Sequence, residues 1–497
     1  MADSQDLAQR RSRLTPAQRA LLQKRLSGGP AAGGAGGEGE GWRITPRDNR
    51  GPAPLSYGES RLWHFVRQRP RSAAFNVYHA VSFMGLLNLA ALAASLRAVI
   101  ARHEVLWSHF SLEDGEPAAQ PDPALLPTVL PVIDLSALSQ GDQATEALRV
   151  VAELAAPGFE SGQGPLLRTA LVHTAAVEHA LFFALHHLVT DGWSLGLLVA
   201  ELATVYGELA AGRPLPALRP PLQAADFAVW QRRRIAEGAL DADLAWWREH
   251  LAGASPEPFA WPARPGAPAG SHGRMLGEGL AEALKALAQR ERVTLFVALL
   301  AGLQVLLWSE TGGAEVIIGT PVALRGGPEA AGISGFLLNL LPLRLGLAGD
   351  LAFGELLRRA RDVFLGAFTH REAPVEWLAR ELLPSHDPGS APWITVLFNM
   401  PLGGAGHAEP LRAGGVDFEP ILTGETGFEL DLTFYAREVP GGIRLDLSYN
   451  ANVLAPGEPE RLLEGLAALL EGAAAHPERR LSELVGGVVA PLAVKGN

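Results

Sequence analysis

His186-His187-Leu188-Val189-Thr190-Asp191-Gly192-Trp193-Ser194 (HHLVTDGWS) is the stretch on which the fold turns. Just before it lies Leu181 to Leu185 (LFFAL), an unbroken apolar run of strand length, which reads as a buried strand. Just after it, from Ser194 to Leu209, apolar residues recur at helical spacing until Gly212, Pro214 and Pro216 end the pattern. The order is therefore strand, turn, helix, with two histidines at the strand mouth. Titratable groups in such a place cost free energy unless they are paired or used. The spacing predicts one imidazole held out for proton chemistry and one carboxylate, Asp191, that locks the turn. Gly192 lets the backbone turn tightly and leaves its N–H open to an incoming group. The positive end of the following helix falls at the same spot.

Helical periodicity also marks Asn88 to His103, Asp241 to Leu251, Leu280 to Arg290, Thr294 to Trp308, Phe353 to Phe368 and about Glu458 to Ala474. Strand-like runs fall at Arg168 to His173, Ala180 to Leu185, Val316 to Ile318 and Leu340 to Leu345. Phe428 to Tyr435 and Ile443 to Tyr449 alternate around Val439-Pro440-Gly441-Gly442 and predict a hairpin. The proline-rich passage Arg213 to Pro221 reads as a crossing between two α/β lobes, and no short sequence repeat is visible. Residues 1–45 stand apart. Thr15-Pro16-Ala17-Gln18 carries the signals of a helix start, and the glycine-rich segment Ser27 to Gly41 reads as a flexible tether.

Bulk properties narrow the function classes. A chain of 497 residues exceeds one ordinary core, so two or three domains are expected. Apolar residues make up 48% and charged ones 19%, the balance of a packed globular protein. The net charge of -11 argues against a nucleic-acid partner, whose phosphates need neutralising. The chain has no cysteine, which removes a covalent thiol, a disulfide framework and a thiolate metal site, and fits a reducing cytoplasm. The N-terminus lacks a secretion signal. Leu295 to Trp308 is shorter than a membrane span and contains Gln304, so it reads as a buried core helix. No GxxxxGK[ST] or HExxH pattern occurs, and neither a metal nor a nucleotide is expected.

HHxxxDG is complete here, and the chain resembles the condensation domains of nonribosomal peptide synthetases, which share the chloramphenicol acetyltransferase fold. Six further stretches carry the resemblance in order. They are LSYGESRLW (residues 55–63), RHEVLWSHF (102–110), ADFAVWQ (225–231), IIGTPVALR (317–325), ISGFLLNLLPLR (333–344) and HREAPVEWL (370–378). There are departures from the family pattern: Gly58 and Ser60 replace a glutamine-containing motif, Trp107 stands where Arg is common, and Leu338 and Leu340 replace Val and Thr.

The resemblance implies an α/β fold of two chloramphenicol acetyltransferase-like lobes in a V shape around a central tunnel. Residues 46–222 would form the first lobe, 223–485 the second, and 486–497 a linker. It implies that His187 faces the tunnel as the catalytic residue and that His186 is structural. Asp191 would pair with an arginine, Arg61 as first candidate and Arg325 as second. The Gly192 N–H is the implied oxyanion donor. Trp193, Ser194 and Asn339 would line the tunnel, and His103, Glu104, Asp226 and Trp230 would be scaffold. The implied reaction is aminolysis of a thioester. Donor and acceptor carrier proteins would present acyl and aminoacyl groups on phosphopantetheine arms, to a cytoplasmic monomer with no bound cofactor. Residues 1–45 read either as a disordered leader with transient helicity or as an element that docks an upstream synthase module. A stand-alone acyltransferase, an epimerisation domain and a catalytically silent recruiting platform are the alternatives.

Overall fold

The computed structural model describes residues 43–486, apart from 70–71, 217–221, 257–260, 262–263, 313–314, 316, 348–349, 384, 402–410 and 426–429. The helix start at Thr15, the tether at 27–41 and all but the first residue of the expected linker at 486–497 lie outside the described residues.

In the first half of the chain, β1 (Ala53–Pro54) leads into α1 (Tyr57–Gln68), β2 (Asn76–Met84) and α2 (Leu89–Arg102). A hairpin of β3 (Ser108–Glu113) and β4 (Glu116–Pro121) follows. Next come β5 (Val132–Asp134), α3 (Gln140–Ala155), β6 (Leu167–Ala175), β7 (Glu178–His186) and α4 (Gly192–Ala210). Helices α5 (Ala224–Ala236) and α6 (Asp241–His250) lead to the second half. There β8 (Gly270–Gly277), α7 (Glu278–Glu291), α8 (Leu295–Glu310), β9 (Ile317–Ala323), the single turn α9 (Pro328–Ala331) and β10 (Leu338–Leu343) are followed by α10 (Phe353–Thr369) and α11 (Val375–Leu382). Strands β11 (Ile394–Asn399), β12 (Leu411–Ala413), β13 (Val416–Glu425), β14 (Leu432–Val439) and β15 (Gly442–Tyr449) precede α12 (Glu458–Ala475) and α13 (Leu481–Val485).

Helix starts follow the local chemistry of their sequences. Ser56 and Glu59 form a reciprocal capping box on α1, and Asn88, Asp191 and Thr294 each take an N–H of the first turn on α2, α4 and α8. Helix α4 starts two residues earlier than its apolar pattern because Asp191, and not a later residue, is the cap. Helix α8 has no polar face. Val297 through Leu307 are all buried at the centre of the second half, as a core helix requires, and Gln304 is buried with them. Among the described residues no single helix is long and apolar enough to cross a membrane.

Two six-stranded sheets organise the molecule, in the orders β12-β13-β2-β7-β6-β5 and β10-β9-β11-β14-β15-β8. They contain a shared pattern that the sequence does not display. In the first, β2 is antiparallel to β7, β7 antiparallel to β6, and β6 parallel to β5. In the second, β8 is antiparallel to β15, β15 antiparallel to β14, and β14 parallel to β11. Each hairpin, β6–β7 and β14–β15, is followed by a long helix, α4 and α12. The repeat thus lies in strand order and sense, and side chains have diverged around it.

The apolar run of β7 is explained by cover on both faces. Leu181, Phe183 and Leu185 pack with α2 and α4, while Phe182 packs with Val150 and Val151 of α3. The expected lobe boundary at 222/223 does not coincide with the sheets. Strand β13 pairs along the length of β2, so a segment of the second half completes the first half's sheet. Ala224, Phe227, Trp230, Ile333, Phe336, Val416 and Phe418 likewise belong to the first half's core.

Candidate active site

Strand β7 delivers both histidines, and the backbone sorts them. At His186 the backbone is still extended, with Asn76 of β2 opposite. Its Nδ1 accepts the N–H of Leu188 at 3.0 Å. A ring nitrogen that accepts cannot carry the proton, so the neutral ring is protonated at Nε2. That Nε2 is buried without a hydrogen-bond partner among the described residues, between the rings of Phe75 and Phe159 at 6.1 and 6.3 Å. Burial, with a smaller contribution from His187, pushes the His186 pKa down to about 3. His186 is a fixed neutral ring.

His187 has the opposite arrangement. Its N–H donates to the carbonyl of Phe75 at 2.8 Å, and a single 3-10 turn, residues 187–189, begins at it. That turn brings the carbonyl of Thr190 to 3.1 Å from the ring Nδ1. A carbonyl only accepts, so Nδ1 carries the proton and Nε2 is the basic nitrogen. The ring is half-buried, and the edge of Phe336 stands against it at 6.0 Å between centroids. Gly58 of α1 makes room for Phe336, since a Cβ there would lie 2.9 Å from the phenyl ring.

Asp191 closes the turn and joins the halves. Its carboxylate receives both terminal nitrogens of Arg325 at 2.6 and 3.0 Å, the N–H of Leu337 at 3.2 Å, and the N–H and hydroxyl of Ser194 at 2.9 and 2.7 Å. The pair is bidentate and buried on both sides. Two expectations change here. Arg325, the second candidate, is the partner of Asp191. Arg61, the first, instead donates its Nε to Glu376 at 2.9 Å, because α1 packs on α11 and Asp191 is already saturated. Ser194, expected to line a tunnel, is fully buried, and its hydroxyl also bonds the backbone of Gly335.

Asn339, likewise expected to line the tunnel, is buried on β10 and spends its amide on backbone. Nδ2 donates to the carbonyls of Arg371 and Ala373 at 2.8 and 2.7 Å, and Oδ1 accepts the N–H of Val375 at 3.0 Å. It holds the turn between α10 and α11. Gly192 and Trp193 do reach solvent. The Gly192 N–H is at the exposed first turn of α4, and Trp193 is 46% exposed with its indole N–H on the carbonyl of Ala331 at 2.9 Å. His103, Glu104 and Asp226 sit in scaffold contacts. His103 meets Glu201, Arg47 meets both Glu104 and Asp226, and Trp230 is buried in the core.

Sequence reasoning missed His79 and Phe75. His79 is buried on β2, and burial, followed by the nearby charge of His187, pushes its pKa down to about 3. Its signal is a polar residue inside the apolar stretch of β2. Phe75 has no sequence signal, since what distinguishes it is its backbone conformation. Among the described residues no group of three or more His, Asp and Glu side chains is placed to hold a metal ion.

Residues 49–486 match the family described as Condensation domain. The chain belongs to the condensation-domain family. This condensation domain is 34% identical over 444 residues to a linear gramicidin synthase of Brevibacillus parabrevis, covering 87% of this chain and 6% of that protein. It is 33% identical over 495 residues to phosphinothricin tripeptide synthetase PhsC of Streptomyces viridochromogenes, covering 97% and 44% respectively. It thus spans less than half the length of these curated relatives. Among solved structures it is similar to the X-domain from teicoplanin biosynthesis, with a TM-score of 0.78 and 26% identity over 88% of this chain and 99% of that one. It is also similar to the first condensation domain of the calcium-dependent antibiotic synthetase in complex with a substrate analogue, with a TM-score of 0.71 and 26% identity over 89% and 100% of the two chains. The general activity that goes with the family is acyl transfer with formation of an amide bond.

Proposed function

We propose that this condensation domain joins an acyl or peptidyl thioester on a donor carrier protein to the amine of an aminoacyl thioester on an acceptor carrier, both held on phosphopantetheine arms. The two arms meet at His187 between the halves of the molecule. One observation above all supports the reading: the Thr190 carbonyl lies 3.1 Å from Nδ1 of His187, which puts the ring proton there and leaves Nε2 as the basic nitrogen. Curated relatives that carry peptide synthetase names support the substrate class.

A free α-amino group titrates near 8, so much of it is protonated at neutral pH (about 7). In the proposed step Nε2 accepts a proton from the attacking nitrogen as that nitrogen bonds to the thioester carbonyl carbon. The oxygen becomes an oxyanion facing the Gly192 N–H and the positive end of α4. Collapse breaks the carbon–sulfur bond, and the proton passes from Nε2 to the leaving sulfur. The products are an amide and a free thiol. Asp191 takes no proton in this scheme: held by Arg325, it locks the turn that carries Gly192.

Mass spectrometry of the protein mixed with one acyl-loaded and one aminoacyl-loaded carrier tests the reading. The expected result is transfer of the acyl mass to the acceptor carrier. Unchanged masses with tight carrier binding would replace it with a recruiting platform. Deuterium wash-in at the donor α-carbon without transfer would replace it with epimerisation.

A further inference from the structure

Phe75, one residue ahead of β2, has a φ of 68°. Other non-glycine residues with positive φ include Asp114, Asp350 and Asn452, short polar types that tolerate the left-handed region, and Arg292, which caps the end of α7. Trp393 is a second bulky case, also one residue ahead of a strand, but β11 carries no residue of the site. A bulky residue in this conformation is strained and persists only where its surroundings over-determine it.

For Phe75 those surroundings are the catalytic strand. The ladder between β2 and β7 pairs Asn76 with His186, so the next rung in register is Phe75 with His187. That rung is asymmetric. The His187 N–H donates to the Phe75 carbonyl at 2.8 Å, whereas the His187 carbonyl turns away from the ladder and accepts the N–H of Thr190 at 3.2 Å. The left-handed turn at Phe75 swings the preceding chain off the ladder, which leaves the His187 carbonyl to close the 187–190 turn. That same turn carries the Thr190 carbonyl to Nδ1.

Two anchors hold the strained residue. Its ring stands edge-on to His186 at 6.1 Å and to Phe65 at 5.0 Å. The next residue, Asn76, is fully buried, and its Nδ2 donates to the carbonyls of Ala155 and Pro157 at 2.8 and 3.1 Å. Those carbonyls belong to the segment that presents Phe159 to the other side of His186.

We infer that Phe75 is a positioning residue for condensation, whose left-handed backbone ends the β2–β7 ladder one rung early and thereby sets the tautomer and aim of His187. The inference rests on the role proposed for His187.

Asn and Ala at position 75 both delete the ring, but only Asn tolerates the left-handed region. Phe75→Asn is expected to keep kcat within about threefold of the parent and to exceed Phe75→Ala by roughly five- to tenfold, with KM for both carriers unchanged, the gap set by the backbone preference. Nitrogen-15 spectra of the His187 ring should show a protonated Nδ1 in the parent and in Phe75→Asn, and mixed tautomers in Phe75→Ala. Equal kcat and equal ring spectra for the two variants would overturn the inference. Should Phe75→Ala not fold, Phe75→Asn alone decides: loss of both its kcat and its Nδ1 proton signal would overturn it. A parent that fails to condense, or a His187→Ala variant as fast as the parent, would instead overturn the reading of His187 itself.

Discussion

The ends of two matching hairpins, β7 and β15, show how little of the site belongs to the frame. Both strands lie between an antiparallel neighbour on each side, and both lead into a long helix. β7 ends at His186 and the turn after it begins at His187, both rings set by backbone contacts, and its helix is capped by a carboxylate that reaches into the other half. β15 is followed directly by Asn450, whose Nδ2 and N–H bond the carbonyls of Leu430 and Asp431, and its helix starts after Gly457 at a φ of 85°. The same architecture is closed by local backbone bonds in one place and arranged around a titratable ring in the other. Function here is a matter of what a few side chains do with a shared scaffold.

The largest expected contrast is in stability. Asp191→Ala strands a buried guanidinium and should cost about 3–5 kcal/mol, read from the denaturation midpoint. A variant of unchanged stability would remove the structural role of the turn carboxylate. The halves also differ in how they bury a glutamate. Glu310 of the second half is paired with both terminal nitrogens of Arg461, joining α8 to α12. Glu59 of the first half is buried with its carboxylate on the Ser56 N–H, and burial raises its pKa to about 7. Its folded pKa lies above the unfolded value, so the folded state binds the extra proton. That contribution is complete below about pH 4.5 and is lost as pH rises through 7. Glu59→Gln keeps the acceptor and removes the titration. It should match the parent near pH 4 and exceed it at pH 8 by about 3 kcal/mol. Equal melting temperatures for the two proteins at pH 8 would refute this.

Turnover should separate the two hairpin ends as well. His187→Ala should fold normally and lower the condensation rate at least tenfold, about 1.4 kcal/mol in barrier. The counterpart change, Asn450→Ala, should leave turnover alone and cost about 1 kcal/mol of stability for its lost hydrogen bond. A rate loss in Asn450→Ala as large as in His187→Ala would break the contrast between the two hairpin ends.

Much of this was legible in the sequence because it depends on local pattern. The apolar run of β7, the Asp-Gly turn and the helix after it follow from spacing, and so does the buried α8. What escaped was decided at long range. The choice of Arg325 over Arg61 depends on α1 packing against α11, which no local signal reports. Ser194 and Asn339 lie in motifs, but whether a polar side chain faces a passage or feeds the backbone is set by neighbours 32 to 141 positions away. Phe75 escaped because composition carries no record of a dihedral angle.

The reach of β13 across to β2 also constrains the order in which the protein can be built. A ribosome works from the N-terminus, and the strand that covers β2 ends at residue 425. Until then the β2 edge displays unpaired backbone groups, a template for mispairing with other nascent chains. Cutting the gene at the apparent crossing would leave that edge open for good, so split or swapped versions of this protein need residues 411–425 to travel with the first sheet.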